Sequence, residues 1–286
     1  MTNAAPKRAL TVPAAKANVP AKLWKGYEMS ETNTVTAAML AIGDELLSGR
    51  TKDKNIGHLA DMLTLSGIDL KEVRIVGDES EAIVEALNAL RSRYDYVFTS
   101  GGIGPTHDDI TADAIGAAFG RPVIHDEKAM EMLGAMYARR GLEFNEARQR
   151  MARMPEGSRH IDNPVSTAPG FIVDNVHVMA GVPNIFQAML DNVLPQLRTG
   201  AKMQSRTVPC PYGEGDIGVA LGVVQKAHPE TVIGSYPKFD GQFYSTDIVI
   251  RARDVENLDP AEAAVRAMLA EVAERKSKGS AKSGSD

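Results

Sequence analysis

The strongest constraint on the fold is a regular alternation of short apolar segments with amphipathic segments between residues 36 and 120. The segment TAAMLAI (36–42) is apolar throughout and ends at Gly43, as a buried strand does. The next segment, 55–67, carries apolar residues at helical spacing and ends at Gly67, a typical helix stop. The same alternation continues through the segments 69–78, 80–93, 94–100 and 107–120. This β-α-β-α-β-α order predicts an α/β fold with a mostly parallel sheet covered by helices.

A second unit follows a boundary near residues 198–203. Its predicted elements are a strand 204–209, a helix 214–227, strands 231–236 and 243–251, and a helix 260–275. That order predicts a small two-layer α+β domain over 203–275, after an α/β domain over 36–199. The residues between predict two helices within 126–160, a hairpin around Asp174 and Asn175, and a helix over 184–197.

Both ends of the chain differ in composition from the rest. Residues 1–35 are rich in Ala, Pro and Lys, reach their first acid only at Glu28, and predict a disordered tail. A basic leader of this kind also allows an organelle transit peptide, and translation from Met29 is a further alternative. The low-complexity sequence KSKGSAKSGSD predicts a second disordered tail over 276–286.

Composition and charge narrow the classes of partner. A net charge of −5 argues against a general nucleic-acid-binding surface, so no nucleic acid partner is expected. No apolar run approaches the ~20 residues of a membrane span, so no membrane partner is expected either. The single cysteine, Cys210, cannot form an internal disulfide. We expect a structural thiol in a reducing compartment, the cytoplasm.

Polar residues follow the predicted strands at the edge where open α/β sheets bind their ligands. Asp44 and Glu45 come directly after the first strand and are candidate ligands for a Mg²⁺-type ion. Asp78 follows the second strand, and Asn55 opens the helix between the two. Three of these have a structural alternative: Asp44 as a turn former, and Asp78 and Asn55 as helix caps.

The stretch FTSGGIGPTHDDIT (98–111) combines a glycine loop with an acidic segment. Its glycine spacing matches neither the dinucleotide fingerprint nor a Walker loop. A loop between a strand and a helix nevertheless offers free N–H groups to a phosphate. Asp108 and Asp109, at the predicted helix start, would repel a bare phosphate, and a bridging divalent cation removes that conflict. The alternative is a tight turn with an acidic helix cap.

Together, the segments GDELLSG, TSGGIGPTHDDIT and MAGVPNIFQAM resemble the molybdopterin-binding domain family of the MoaB and MogA proteins, with the CinA-like branch as the nearest. The resemblance covers about residues 36–198 and implies a three-layer α/β fold, followed by a KH-like α+β domain around GSYPKFDG (234–241). It also implies a nucleotide or molybdopterin ligand and a homo-oligomer, a dimer or a trimer. CinA proteins also carry a C-terminal amidase domain, whose activity is not expected of this chain.

The resemblance assigns roles residue by residue. Asp109 and Asp78 are expected to be catalytic. Asp44, Glu45 and Asp109 are expected to hold a divalent metal, which is Mg²⁺, Mn²⁺ or Co²⁺. The residues expected to bind the phosphate or the rest of the substrate are Ser100, Gly101, Gly102, Gly104, Pro105, Thr106 and Asn55.

Three functions are compatible with this pattern. The first is a divalent-metal-dependent pyrophosphatase acting on ADP-ribose-type nucleotides. The second is molybdopterin binding or adenylyl transfer in molybdenum cofactor biosynthesis, and the third is a non-catalytic nucleotide-binding module. Ile103 favours the first over the second, because it stands where MogA-type loops carry Thr and so removes a hydroxyl donor. His107, Lys238 and Tyr236 are weaker candidates, best explained by an exposed loop and a simple turn.

Overall fold

The computed structural model describes residues 34–282, and the side chains of these as far as Lys278. The predicted tail over 1–35 and the alternative start at Met29 therefore lie almost entirely outside the described residues. The larger domain has the elements β1 (Val35–Ile42), α1 (Asp44–Leu47), α2 (Asn55–Leu65), β2 (Ile68–Val76), α3 (Ser80–Arg91), β3 (Tyr96–Ser100), α4 (Thr111–Phe119), β4 (Val123–His125), α5 (Glu127–Arg139), α6 (Glu146–Gln149), β5 (Arg153–Pro155), β6 (Arg159–Ile161), β7 (Gly170–Val173), β8 (Val176–Met179) and α7 (Pro183–Val193). The smaller domain has β9 (Gln204–Cys210), α8 (Glu214–Ala227), β10 (Val232–Phe239), β11 (Tyr244–Ala252) and α9 (Leu258–Lys282).

The larger domain is built on a six-stranded sheet with the order β2-β1-β3-β8-β7-β6. The first four strands are parallel, and β7 and β6 each run antiparallel to the preceding neighbour. The carboxyl ends of β2, β1, β3 and β8 therefore meet at one edge of the sheet. This arrangement confirms the mostly parallel α/β fold predicted from the alternating pattern.

Strand β1 shows why the domain has three layers. All its residues except Thr36 are fully buried, and successive side chains alternate between the two faces of the sheet. Val35, Ala37 and Met39 pack with α2 and α7, and Ala38 and Leu40 pack with α3, α4 and α5. The central strand thus contributes to both hydrophobic cores, and the sheet lies between two helical layers.

Two predicted helices are shorter than their sequences indicated. The segment 107–120 is helical only from Thr111, because Asp109 binds the backbone of Thr106 and closes a turn before the helix begins. The second helix within 126–160 is α6, which is only four residues long and ends at Gln149. A 3-10 turn follows it. Strand β5 follows and pairs antiparallel with β4.

The smaller domain has the predicted β-α-β-β-α order. Its antiparallel sheet has the order β10-β11-β9, and α8 and α9 cover one face through a separate apolar core. Helix α9 continues to Lys282, so residues 276–282 are helical where the sequence predicted a disordered tail. Among the described residues, no helix is both long enough and apolar enough to span a membrane.

Candidate functional site

A cavity of about 540 Å³ opens at the edge where the parallel strands end. Its floor is formed by the residues after β1 and β3 and by the segment that joins β8 to α7. Seven of the predicted site residues line it: Glu45, Asp78, Gly101, Gly102, Gly104, Pro105 and Asp109. Four do not: Asp44, Asn55, Ser100 and Thr106. The structure therefore brings most of the predicted set together and places the others in its surroundings.

The glycine loop folds back onto the protein through very close backbone contacts. Gly101 has φ 111°, and a Cβ at this position would collide with the carbonyl oxygen of Ile42, the last residue of β1. Gly102 has φ 68°, and a Cβ there would collide with Oγ1 of Thr111. The same Thr111 donates its hydroxyl to Gly101 O at 3.0 Å and its N–H to Gly102 O at 3.0 Å. Only glycine meets both the conformational and the steric demand here.

Backbone donors of this loop belong to residues that line the cavity. Within the described part of the chain, the N–H groups of Gly102, Ile103 and Gly104 donate to no other residue, and all three residues line the cavity. Successive free N–H groups of this kind form an anion-binding concavity. The first turn of α7 also lines the cavity, at Pro183 and Ile185. A helix N-terminus adds partial positive charge, which the sequence interpretation had placed at α4 instead.

Carboxylates dominate the rest of the polar lining. Of the residues that the structure describes, the lining includes Glu45, Asp78, Asp108 and Asp109 but no lysine, arginine or histidine. Burial raises the pKa of Asp78. The negative charges of Asp44, Glu45 and Asp108 raise it further, although the N–H of Asp44 opposes the shift. The ionised form of Asp78 is therefore held in an unfavourable environment, which is typical of functional sites.

Asp44 does not line the cavity. It follows β1 and is hydrogen-bonded to Asp78, which follows β2. Its N–H donates to Asp78 Oδ2 at 3.0 Å, and the N–H of Asp78 donates to Asp44 Oδ1 at 3.4 Å. Among residues 34–282, no three His, Cys, Asp or Glu side chains lie close enough to share one metal ion. Within these residues, the structure thus does not assemble the predicted ligand trio of Asp44, Glu45 and Asp109.

Asp109 and Arg150 shape the acidic part of the loop. Asp109 Oδ2 accepts from the N–H of Thr106 at 2.8 Å and from its hydroxyl at 2.6 Å. Arg150 then donates to the carbonyl oxygens of Thr106 at 3.1 Å and of Asp109 at 3.0 Å. Thr106 is therefore a turn former, and Arg150 is a brace that the sequence interpretation missed. No local pattern indicated it, because Arg150 lies 41 residues from Asp109.

Asn55 joins two of the loops that form the floor. It is only 3% exposed, and its Nδ2 donates to Ser100 Oγ and to the carbonyl oxygen of Gly181, both at 2.8 Å. Gly181 in turn packs against Gly101. Asn55 does not cap its helix, since Asp53 Oδ1 accepts from the N–H of Ile56 at 2.7 Å. Asn55 and Ser100 therefore support the floor from behind it.

One wall of the cavity was not predicted at all. Asn163 is buried, accepts from the N–H groups of Val165 and Ser166, and donates to the carbonyl oxygen of Ala168. The side chain thereby folds the loop 162–169 against the cavity. The dipeptide Asn163-Pro164 is a turn signal that could have located this loop. Apolar side chains complete the wall: Ile42, Ile103, Met151, Val182 and Ile185.

The weaker candidates lie outside this site. The side chain of His107 is fully exposed, as expected for a loop histidine. Lys238 pairs with Asp247 on the neighbouring strand, and Tyr236 contacts Arg251. Both Lys238 and Tyr236 are part of β10, so the predicted turn is in fact a strand. Cys210 is buried, and burial raises the pKa of its thiol, which disfavours a nucleophilic role.

Comparison with known proteins places this geometry in a family. Residues 38–199 match the family described as probable molybdopterin binding domain, and residues 202–277 match the FAD synthase middle domain. A protein of Pyrococcus furiosus is 33% identical over 238 residues, covering 79% of this chain and 93% of that protein. A CinA-like protein of Myxococcus xanthus is 36% identical over 211 residues, covering 68% of this chain and 50% of that protein.

A solved structure agrees with these matches. The crystal structure of CinA from Thermoplasma acidophilum, a protein of unknown function, gives a TM-score of 0.53 at 31% identity and covers 57% of this chain and 98% of that one. The chain belongs to the CinA-like molybdopterin-binding domain family. The predicted family and fold class are thereby confirmed. In this CinA-like domain, the glycine loop and the segment joining β8 to α7 form the floor of the cavity.

The packing of the glycine loop gives the first prediction. We expect Gly102→Ala to lower the free energy of unfolding more than Gly120→Ala does. Gly120 has φ 61°, but no atom lies within 4 Å of the position that a Cβ would take there. Both changes incur the left-handed backbone cost of about 1–2 kcal/mol, and only Gly102→Ala adds the collision with Thr111. Chemical denaturation measures both, and equal losses would contradict the proposed packing.

The acidic lining gives the second prediction. We expect Asp78→Asn to stabilise the fold at neutral pH, by a few tenths of a kcal/mol to about 1 kcal/mol after solvent screening. The pKa of Asp78 in the folded chain lies above its ordinary value of 3.8. Between pH 3.8 and that raised pKa, Asp78 therefore holds its proton more firmly in the folded chain than in the unfolded chain. The contribution of Asp78 to stability therefore falls as pH rises through that window and stays lower above it.

Urea denaturation from about pH 3 to about pH 7 compares wild type, Asp78→Asn and the control Asp61→Asn. Asp61 is exposed on α2, and its replacement changes net charge equally. We expect only Asp78→Asn to become more stable relative to wild type as pH rises through this window. A loss of stability in Asp78→Asn at neutral pH would show that its carboxylate is a structural cap.

Proposed function

We propose that the chain is a divalent-metal-dependent hydrolase of nucleoside-diphosphate-linked molecules such as ADP-ribose. One observation carries the proposal: three free N–H groups and four carboxylates line the same cavity. The N–H groups suit a phosphate, and the carboxylates repel one unless a cation is present. A site that needs both groups fits a phosphate ligand that binds together with a metal ion.

The donor set fits such an ion in composition. One or two of the lining carboxylates Glu45, Asp78 and Asp109 would hold it, with Asp44 in support through its contact with Asp78. Mg²⁺ commonly uses only one or two carboxylates and completes its shell with water and substrate phosphates. A site without three preassembled protein ligands is therefore compatible with Mg²⁺ coordination. A bound divalent cation would offset phosphate charge and lower the pKa of a coordinated water.

The chain's own groups would orient the substrate. The N–H groups of Gly102, Ile103 and Gly104 would donate to oxygens of one phosphate, and the N-terminus of α7 would add its partial charge. The apolar wall with Ile103, Met151 and Ile185 would take a flat heterocycle. Arg150 would keep the carboxylate of Asp109 in place through the turn at Thr106.

Molybdopterin binding or adenylyl transfer is the second candidate. The family's description as a probable molybdopterin binding domain favours it, and the same apolar wall could take a pterin ring. Ile103 argues against it, because its side chain offers no hydroxyl to the ligand. The match of the smaller domain to FAD synthase adds flavin dinucleotide to the substrates worth testing. The cytoplasm suits any of these activities, because the only cysteine, Cys210, is buried and unpaired.

The test is release of product from ADP-ribose, FAD, NAD and ATP with Mg²⁺, Mn²⁺ or Co²⁺. We expect wild type to cleave at least one of them only with metal, and Asp109→Asn to lose on the order of 100-fold in kcat/KM. Asp61→Asn is the matched control and should keep wild-type activity. Circular dichroism would establish that each variant is folded.

Two results would overturn the proposal. Folded wild type that cleaves none of the four nucleotides would exclude the hydrolase, and molybdopterin binding to it would then favour the second candidate. Undiminished turnover in Asp109→Asn would instead show that the acidic loop has no catalytic role. Nucleotide binding without turnover would support the non-catalytic module.

A further inference from the structure

Helix α8 of the smaller domain has apolar side chains on two opposite faces. Ile217, Leu221 and Val224 lie in the core against the sheet and α9. On the other side, Val219 is 89% exposed and Val223 is 64% exposed. A helix that covers a sheet ordinarily presents polar residues to water on that side. The outer face of α8 is therefore a surface without a partner in the described part of the chain.

The glycines of α8 point to close approach by another helix. No atom lies within 4 Å of the position that a Cβ would take at Gly215, Gly218 or Gly222. Glycine in a helix interior is destabilising relative to alanine, and nothing packed against these positions requires it. At helical spacing, Gly215, Val219, Gly222 and Lys226 share the outer face. On this face the glycines leave a depression, and the exposed side chain of Val219 forms a ridge beside it.

A groove continues this surface. Between α8 and α9 lies a cavity of about 930 Å³, whose apolar lining includes Val219, Val223, Ala264 and Ala267. Large exposed apolar surfaces on a folded domain commonly mark protein interaction sites. The exposed valines, the glycines and the groove are contiguous on the outer side of the two helices.

The charges of α8 indicate what covers it. Glu214 and Asp216 lie in the first turn, and Lys226 lies in the last. Asp216 also contacts Lys276 at 2.7 Å, but its side chain stays 41% exposed. An antiparallel copy of the same helix would bring the acidic turn of each next to the basic turn of the other. It would also oppose the two helix dipoles.

We propose that the outer face of α8 binds a second copy of this chain, with the two α8 helices antiparallel across a two-fold axis. In that arrangement Val219 packs against Gly222 of the partner subunit, and the reciprocal contact follows by symmetry. Lys226 of each copy lies beside the first turn of the other. The proposal concerns only the smaller domain and does not depend on the proposed hydrolase activity.

The first test is the mass of the full chain in solution by light scattering after gel filtration. We expect about twice the monomer mass of 30.7 kDa for wild type and the monomer mass for Val219→Glu. Leu65→Glu is the matched control, because Leu65 at the end of α2 is 64% exposed and lies outside this surface. It should stay dimeric. Since Val219 is almost fully exposed, its variant should fold, and circular dichroism would verify this.

Disulfide crosslinking tests the antiparallel register. The only native cysteine, Cys210, is buried, so introduced cysteines can be followed alone. We expect a mixture of Val219→Cys and Gly222→Cys chains to form a crosslinked dimer on oxidation, and more of it than either variant alone. A monomeric or trimeric wild type, a dimer that survives Val219→Glu, or the absence of this mixed crosslink would each overturn the proposal.

Discussion

The contact on which the site depends is the close approach of the glycine loop to the end of β1 and to the start of α4. Gly101 lies against the carbonyl of Ile42, and Gly102 lies against Thr111, which also binds the carbonyls of both glycines. Beside these contacts, the N–H groups of Gly102, Ile103 and Gly104 donate to no acceptor in the described residues. Internal packing therefore requires these glycines. The loop shaped by that packing is also the one whose backbone N–H groups are available to a ligand.

The acidic side chains at the same edge of the sheet are unfavourable for the stability of the fold. Burial and neighbouring negative charges raise the pKa of Asp78, and the described lining contains no cationic side chain to compensate. A fold selected for stability alone would place a lysine or arginine here. Arg150 binds backbone carbonyls of the acidic turn and does not line the cavity. Such an arrangement is expected where a ligand supplies the missing positive charge.

Much of this architecture could be predicted from the sequence, because long periodic segments determine their own structure. Strands β1 to β3, helices α2 and α3, and the order of elements in the smaller domain follow from that periodicity. The parts that could not be predicted depend on tertiary contacts. Helix α4 starts late because Asp109 binds Thr106, and Asn55 supports a floor that includes Gly181. Strands β4 and β5 are too short to show any period.

The central claim is that the cavity binds a phosphate ligand only together with a divalent cation. Isothermal titration calorimetry of ADP-ribose into the full chain tests it most directly, with Mn²⁺ present and with the metal removed by a chelator. The account predicts saturable binding with Mn²⁺ and none without it, because four carboxylates line the cavity without a compensating side chain in the described residues. Equal affinity in the two conditions would contradict the account and would assign the phosphate to the backbone N–H groups alone.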